Sequence, residues 1–492
     1  MPSNHQPLHP TNTVTIQSLA DVLRRHNYTP YALFAALGED HGTTLNRVDL
    51  PVYLRRLTDS PLHNLIRLFL LGVSVEREAL AIALAPLAPD ALLALGLAQE
   101  KDGAFTSPYR VTAFAEMYFV SDRFLIGDIL RPDFVTGVNN TTINLAALTI
   151  RRSGRALDIG TGCGVQALLA SAHCEQVIAT DINPRALEMA RFNAALNRAT
   201  NIEWRLGNFF EPVAGAEFDL IMCNPPYVIS PQTDYIFRNA GLRGDAVSRA
   251  IVTQAAHYLR EGGFAIVLCD WIHTSQEKWW APLEAWVAQS KCDALCLCHR
   301  TIDPLNYAAG WTRQPAPPDE TILGQQLDEW LAYYNELGIH SISGGAIILR
   351  RSAGPNWMHA EMISTSPRDA SGTHIQRMFV AQDYLRILPN DDALLDAVIA
   401  PLDGRIDQTL KFRDGEWRAD GMRWRMPHGL EFDGELAAFD IHLLTLLDGR
   451  QPLRILIKQA AQNASVDLDA VTGDALQMVR RWIEVGFVEP VK

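Results

Sequence analysis

Residues 156–170, ALDIGTGCGVQALLA, decide how this chain folds. An apolar run broken only by Asp158 stops at Gly160, Gly162 and Gly164, and helical spacing resumes from Val165. A strand entering a glycine-rich corner and leaving as a helix opens a parallel α/β sheet, because glycine turns sharply and leaves bare backbone for a ligand. Further short apolar runs follow at 176–182, 202–208, 218–224, 263–270, 293–300 and 345–351. Helical patterns lie between most of them, such as PRALEMARFNAALNR at 184–198 and DAVSRAIVTQAAHYLREG at 245–262. The spacing predicts an α/β fold with a seven-stranded, doubly wound sheet over residues 136–365.

Either side of this region the pattern changes. Residues 1–135 read as helices followed by β-rich runs, and 366–492 as three helices closing on a short strand. Both flanks are expected to be mainly helical, winged-helix-like domains. At 492 residues the chain is too long for one core, which agrees with three parts.

Composition narrows the function classes. A net charge of −13 is the wrong sign for a protein whose main task is gripping nucleic acid. Seven scattered cysteines suggest no disulfide framework, and the N-terminal stretch has no basic-then-apolar signal pattern, so a reducing cytoplasm is expected. The most apolar stretch, 79–98, is interrupted by Pro86, Pro89 and Asp90 and reads as two buried helices with no membrane role. Cys292, Cys296, Cys298 and His299 lack the paired spacing and turn residues of a zinc site and sit in a β-like run; no metal is expected.

The glycine corner carries the first chemistry. Asp181 ends the next strand, about 20 residues on, where a carboxylate takes two ribose hydroxyls. A dinucleotide site wants its pyrophosphate at this corner, yet Asp158 would repel that anion and attract the ammonium of S-adenosylmethionine. The candidate cofactor-binding set is Asp158, Gly160, Thr161, Gly162, Gly164, Asp181, Ile182, Asn208, Phe209 and Asn224. Asn208 stands where an acceptor for the adenine amino group is needed, and its amide oxygen can serve.

DLIMCNPPYVIS, residues 219–230, carries the second. Pro225 and Pro226 stiffen the lip of the sheet and remove two backbone donors, leaving carbonyls exposed. The Asn224 oxygen and the Pro225 carbonyl can take both hydrogens of an –NH2 group, and Tyr227 offers a flat face for a planar acceptor. The candidate catalytic residues are Asn224, Pro225, Pro226 and Tyr227.

LDIGTGCGVQAL, ATDINPRALEMARFNAALN and CNPPYVIS together resemble the class I, Rossmann-like S-adenosylmethionine-dependent methyltransferases with an NPPY motif, over roughly residues 135–270. The spelling is most similar to the release-factor glutamine N5-methyltransferases of the methyltransferase small-domain family. That resemblance implies N-methylation of a protein glutamine or other amide. The alternatives are an RNA or DNA exocyclic amine (adenine N6 or guanine N2) and a non-catalytic regulator that senses the cofactor. The family's arginine–proline–arginine pattern before the sheet is absent here. Thr141 and Thr142, in DFVTGVNNTTINLA (133–146), are expected near the methionine end of the cofactor and the acceptor. Arg238 is a candidate for an acidic acceptor group, and Tyr307 and Trp311 for the acceptor mouth.

Overall fold

The computed structural model describes residues 7–40, 45–126, 130–232, 236, 242–313, 319–364, 367, 371–426, 428–430, 432 and 434–491. The chain forms two compact units, Met1–Ala146 with Arg152–Ala360, and Ala147–Arg151 with Glu361–Lys492.

In the first unit, helices including Thr13–Arg25 and Pro30–Leu37 and a three-stranded sheet within Val75–Thr106 lead into a hairpin, β1 (Tyr109–Phe114) and β2 (Met117–Asp122). Helix α1 (Asn140–Leu148) follows, then the central sheet and its helices. These are β3 (Arg155–Ile159), α2 (Val165–Ser171), β4 (Gln176–Asp181), α3 (Pro184–Leu196), β5 (Ile202–Leu206) and β6 (Phe218–Cys223). The second half comprises α4 (Ala246–Ala255), β7 (Leu259–His273), α5 (Ala281–Ser290), β8 (Cys292–Ile302), α6 (Pro304–Thr312), α7 (Glu320–Glu336), β9 (Ser341–Arg351) and β10 (Met358–Met362).

The strand order is β10-β8-β9-β7-β6-β3-β4-β5. Strands β5, β4, β3, β6 and β7 are mutually parallel, while β9 runs antiparallel between β7 and β8. The order reverses at β3 and β6, so the carboxyl ends of these neighbours diverge into opposite crossovers and open the crevice where α/β sheets bind ligands. Seven of the eight strands are those expected from the sequence. The eighth, β10, escapes the count because its buried positions do not form an apolar run: it reads MHAEM, with only Glu361 buried.

Burial explains the layers. Central strands β3 and β6 are buried almost throughout, as strands covered on both faces must be. Helix α3 is buried on nearly every side, at Ala186, Leu187, Met189, Ala190, Phe192, Asn193, Ala194 and Leu196. It is enclosed because one face meets the sheet and another the N-terminal helices and hairpin, with which it shares a single apolar core. Asn183 caps it by accepting the Arg185 N–H, and Pro184 presets the first turn.

Gly164, at φ 90°, turns the chain from the corner into α2, and a Cβ there would stand 3.1 Å from that of Ala190. Gly164→Ala is therefore expected to lower stability by about 1–3 kcal/mol, from the left-handed backbone plus crowding against α3. Thermal unfolding beside the parent protein measures it, and an unchanged midpoint would show that the corner relaxes freely.

The second unit contains helix Gly372–Ile387, a ribbon of strands Arg405–Arg413 and Glu416–Arg425, and helices Ala438–Leu446, Leu453–Ala464 and Leu468–Glu484. Short strands Ile399–Pro401 and Val488–Pro490 pair antiparallel within it. Among the described residues no helix is long and apolar enough to cross a membrane.

Candidate active site

The residues singled out in the glycine corner gather at the carboxyl ends of β3 and β4. Asp158 is buried, and both of its hydrogen bonds fall on Oδ2, from the Thr161 hydroxyl at 2.6 Å and the Ala167 N–H at 3.0 Å. Burial raises its pKa to about 7, against the partial relief of those two bonds. Such a carboxyl is poised to ionise when a cation arrives. Thr161 thus gives its hydroxyl proton to Asp158.

Gly160, Gly162 and Gly164 all have positive φ, at 69°, 56° and 90°. A Cβ on Gly160 or Gly162 would meet nothing within 4 Å, so the corner presents open backbone. Asp181 receives the Gly162 N–H on Oδ2 and the Asn183 N–H on Oδ1, both at 2.8 Å. Burial raises its pKa too, while these backbone bonds pull the other way. Beside it Ile182 is 56% exposed, and Leu206, the register partner of Asp181 on β5, is 60% exposed. Two bare apolar side chains flanking a ribose-type acid suit the faces of a purine ring. Leu206 was not anticipated; an apolar residue at the end of a mixed strand gives no sign in sequence that it is uncovered. Asn208 is exposed just past β5, and Phe209 is half-buried with φ 42°.

At the lip of β6 the Asn224 amide is oriented through a chain of hydrogen bonds. Asn139 Oδ1 accepts the Thr142 N–H (2.9 Å), the Thr142 hydroxyl (3.0 Å) and the Thr141 hydroxyl (2.8 Å). With its only proton given to Asn139, Thr141 can only accept from Asn224 Nδ2, at 3.1 Å. The Asn224 oxygen therefore remains for an acceptor group. Thr142 is buried and engaged in this cap, and its carbonyl accepts Gln166 Nε2 at 2.8 Å. Asn139, which organises the chain, was missed because nothing in "GVNN" separates it from an ordinary turn residue.

The Pro225 carbonyl accepts the Tyr227 N–H at 2.8 Å, a tight turn that leaves one lone pair for a ligand. Pro226 and Tyr227 are half-buried. Desolvation, followed by the Asp270 carboxylate, holds the Tyr227 phenol above its usual pKa, so it stays neutral.

Tyr307, expected at the acceptor mouth, is 1% exposed and cannot stack on an acceptor. Its hydroxyl donates to Asp270 Oδ2 at 2.7 Å and accepts the Ile229 N–H at 3.2 Å, while Tyr334 donates to the Ile229 carbonyl at 2.8 Å. Two phenols thus hold the exit of the NPPY turn. Arg300 completes the cluster, reaching both Asp270 oxygens at 3.0 and 2.9 Å. Trp311 is half-buried with its ring 6.3 Å from that of Tyr307. Arg238 lies outside the described residues. The seven cysteines are buried, and no group of three or more metal-ligating side chains occurs among the described residues.

Comparison with known proteins gives this geometry a family. The methyltransferase small domain model matches residues 139–277, and a domain of unknown function (DUF7059) matches 25–108. The release factor glutamine methyltransferase of Xylella fastidiosa is 35% identical over 133 residues, 24% of this chain and 47% of that protein. That of Vibrio cholerae is 34% identical over 129 residues, 23% of this chain and 44% of the relative. This chain thus spans about half the length of these curated relatives. A Methanocaldococcus jannaschii protein, provisionally named as a protein N5-glutamine methyltransferase, is 30% identical over 146 residues, covering 28% of this chain and 73% of that one. Covering nearly three quarters of that relative, and with its glycine corner and NPPY turn inside the matched region, the chain belongs to the small-domain family of class I S-adenosylmethionine-dependent methyltransferases.

Proposed function

We propose that this protein transfers a methyl group from S-adenosylmethionine to the side-chain nitrogen of a glutamine, or another amide, in a protein. The observation that carries the proposal is the orientation of Asn224: the Asn139–Thr141 chain takes up its amide nitrogen and leaves its oxygen for a ligand, one residue before the Pro225 carbonyl. Two acceptors on one rigid turn match the two hydrogens of a planar –NH2 group. The names of the relatives support glutamine over other planar nitrogens.

The residues fit the cofactor. Asp158 would hold its ammonium, the bare Gly160–Gly162 backbone its methionine portion, Asp181 its ribose hydroxyls, and Ile182, Asn208 and Phe209 its adenine. When bound, the cofactor supplies an activated methyl group on a sulfonium. Asn224 and Pro225 draw the N–H hydrogens into the amide plane and aim the nitrogen lone pair at that methyl, with Tyr227 against the plane. Positioning and exclusion of water provide most of the rate, and the nitrogen loses one proton after transfer. In this reading residues 1–135 and 366–492 are winged-helix-like modules that precede and follow, in sequence, a catalytic region at 136–365, and the protein works in the cytoplasm.

The test is transfer of tritium from S-adenosyl-[methyl-³H]methionine into a lysate of cells lacking the protein. The parent is run beside Asn224→Ala, and the product is digested with protease or nuclease. Parent-dependent, protease-sensitive label on a glutamine is the expected outcome. Nuclease-sensitive label would instead assign an exocyclic amine of RNA or DNA. Absence of label despite cofactor binding would leave a sensor or a small-molecule enzyme.

A further inference from the structure

Hairpin β1–β2 is joined to α3 in an unusual way. Asn197 donates to the Tyr118 carbonyl at 2.7 Å and accepts the Tyr118 N–H at 2.9 Å. Asn193 does the same at Val120, donating at 2.9 Å and accepting at 2.7 Å. The two asparagine amides replace a neighbouring strand along the edge of β2. The match is geometric, since four residues of helix rise about 6 Å and two of strand advance about 6.7 Å.

The contact extends into the site. Asn193 Nδ2 also donates to the Cys163 carbonyl, within the glycine corner, at 2.8 Å. Two residues beyond Val120, the buried Asp122 takes Arg185 Nη1 and Nη2 at 2.9 and 2.8 Å, and its Oδ2 also accepts the Val135 N–H at 2.8 Å. Arg185 Nη1 and Asn183 Nδ2 converge on the Asp133 carbonyl, at 2.9 and 3.0 Å. Asn183 caps α3 and donates its N–H to Asp181. A continuous path thus runs from Asp122 through Arg185 and Asn183 to the ribose-type carboxylate.

We infer that hairpin residue Asp122 and the Asp133 carbonyl support the cofactor site, with Asp122 and Arg185 as positioning residues for Asp181. Asp122 touches no ligand itself. It fixes the guanidinium on the Asp133 carbonyl that also takes Asn183 Nδ2, and so steadies the Asn183 backbone N–H that holds Asp181 Oδ1. Lysine could not replace Arg185, because one ammonium cannot span both Asp122 oxygens and the Asp133 carbonyl as a planar fork does.

The experiment is calorimetric titration of the full-length protein with S-adenosylhomocysteine, with thermal unfolding of each variant. Asp122→Asn and Arg185→Lys disturb the path to Asp181; Asn197→Ala cuts the same hairpin contact at the end remote from the cofactor. Asp122→Asn is expected to bind roughly tenfold more weakly, the loss of one charge-assisted contact. Arg185→Lys, the milder change should Asp122→Asn not fold, is expected to weaken binding similarly. Asn197→Ala should bind like the parent even where its melting temperature falls as far. Equal weakening in all three variants would reduce the hairpin to a structural support and overturn the inference. So would unchanged affinity in Asp122→Asn and Arg185→Lys, or no binding by the parent. Because the readout is cofactor affinity, the outcome does not depend on which acceptor is methylated.

Discussion

Asn224→Ala is expected to lower methyl transfer by a factor of about 10²–10³ while S-adenosylhomocysteine affinity stays within about twofold of the parent. In the proposed mechanism the side chain supplies one of two acceptors that align the nitrogen, and losing one preorganised polar contact of this kind costs about 3–4 kcal/mol of transition-state stabilisation. The turn itself should survive, because Pro225, Pro226 and the phenols on Ile229 hold it independently of the Asn224 amide. Thr141→Val gives the graded companion. It removes the hydroxyl that receives Asn224 Nδ2, frees the amide to rotate, and should cost roughly tenfold in rate with cofactor affinity unaltered. Single-turnover rates on the labelled protein substrate would measure both. A full-rate Asn224→Ala enzyme would remove the clamp from the mechanism.

The second large effect is in cofactor affinity against pH. Burial raises the Asp158 carboxyl from 3.8 to about 7, so much of it is protonated in the ligand-free protein near neutrality. An incoming ammonium requires the anion. Affinity should therefore climb about tenfold per pH unit below about 7 and level off above it. Stability runs in the opposite direction. The unfolded carboxyl ionises near 3.8 while the folded one stays protonated, so the ligand-free protein is progressively destabilised between those values and by a constant amount above about 7. Asp158→Asn should bind S-adenosylhomocysteine more weakly at pH 8, by roughly 10–100-fold, and lose most of the acid-limb dependence. Burial also raises Asp181, so any slope that survives in Asp158→Asn reports that second carboxyl. Titrations between pH 5.5 and 8.5 decide it, and a flat parent profile would mean that Asp158 binds no cation.

Much of the sheet was legible because its central strands, such as β3 and β6, are buried on both faces and therefore appear as largely apolar runs between helical patterns. The strand not anticipated was β10, an edge strand of mixed composition that pairs with β8 through its backbone. Tyr307 was misplaced for a related reason: an aromatic near a cleft reads the same whether its ring meets a ligand or, as here, its hydroxyl anchors a loop from within the core.

By itself the sequence determined the chemistry of the two corners. Gly160, Gly162 and Gly164 permit a left-handed turn wherever they stand, Pro225 and Pro226 remove donors wherever they stand, and Asp158 and Asp181 keep a fixed chain distance from that turn. These are local consequences of backbone sterics and of which groups a residue carries. Only the tertiary structure decided which way the Asn224 amide faces, that Asp158 is buried deeply enough to titrate near neutrality, and that hairpin residue Asp122 meets Arg185 beside Asn183. Orientation, desolvation and long-range bracing depend on partners such as Asn139, Ala167 and Asp122, and only folding brings those neighbours together.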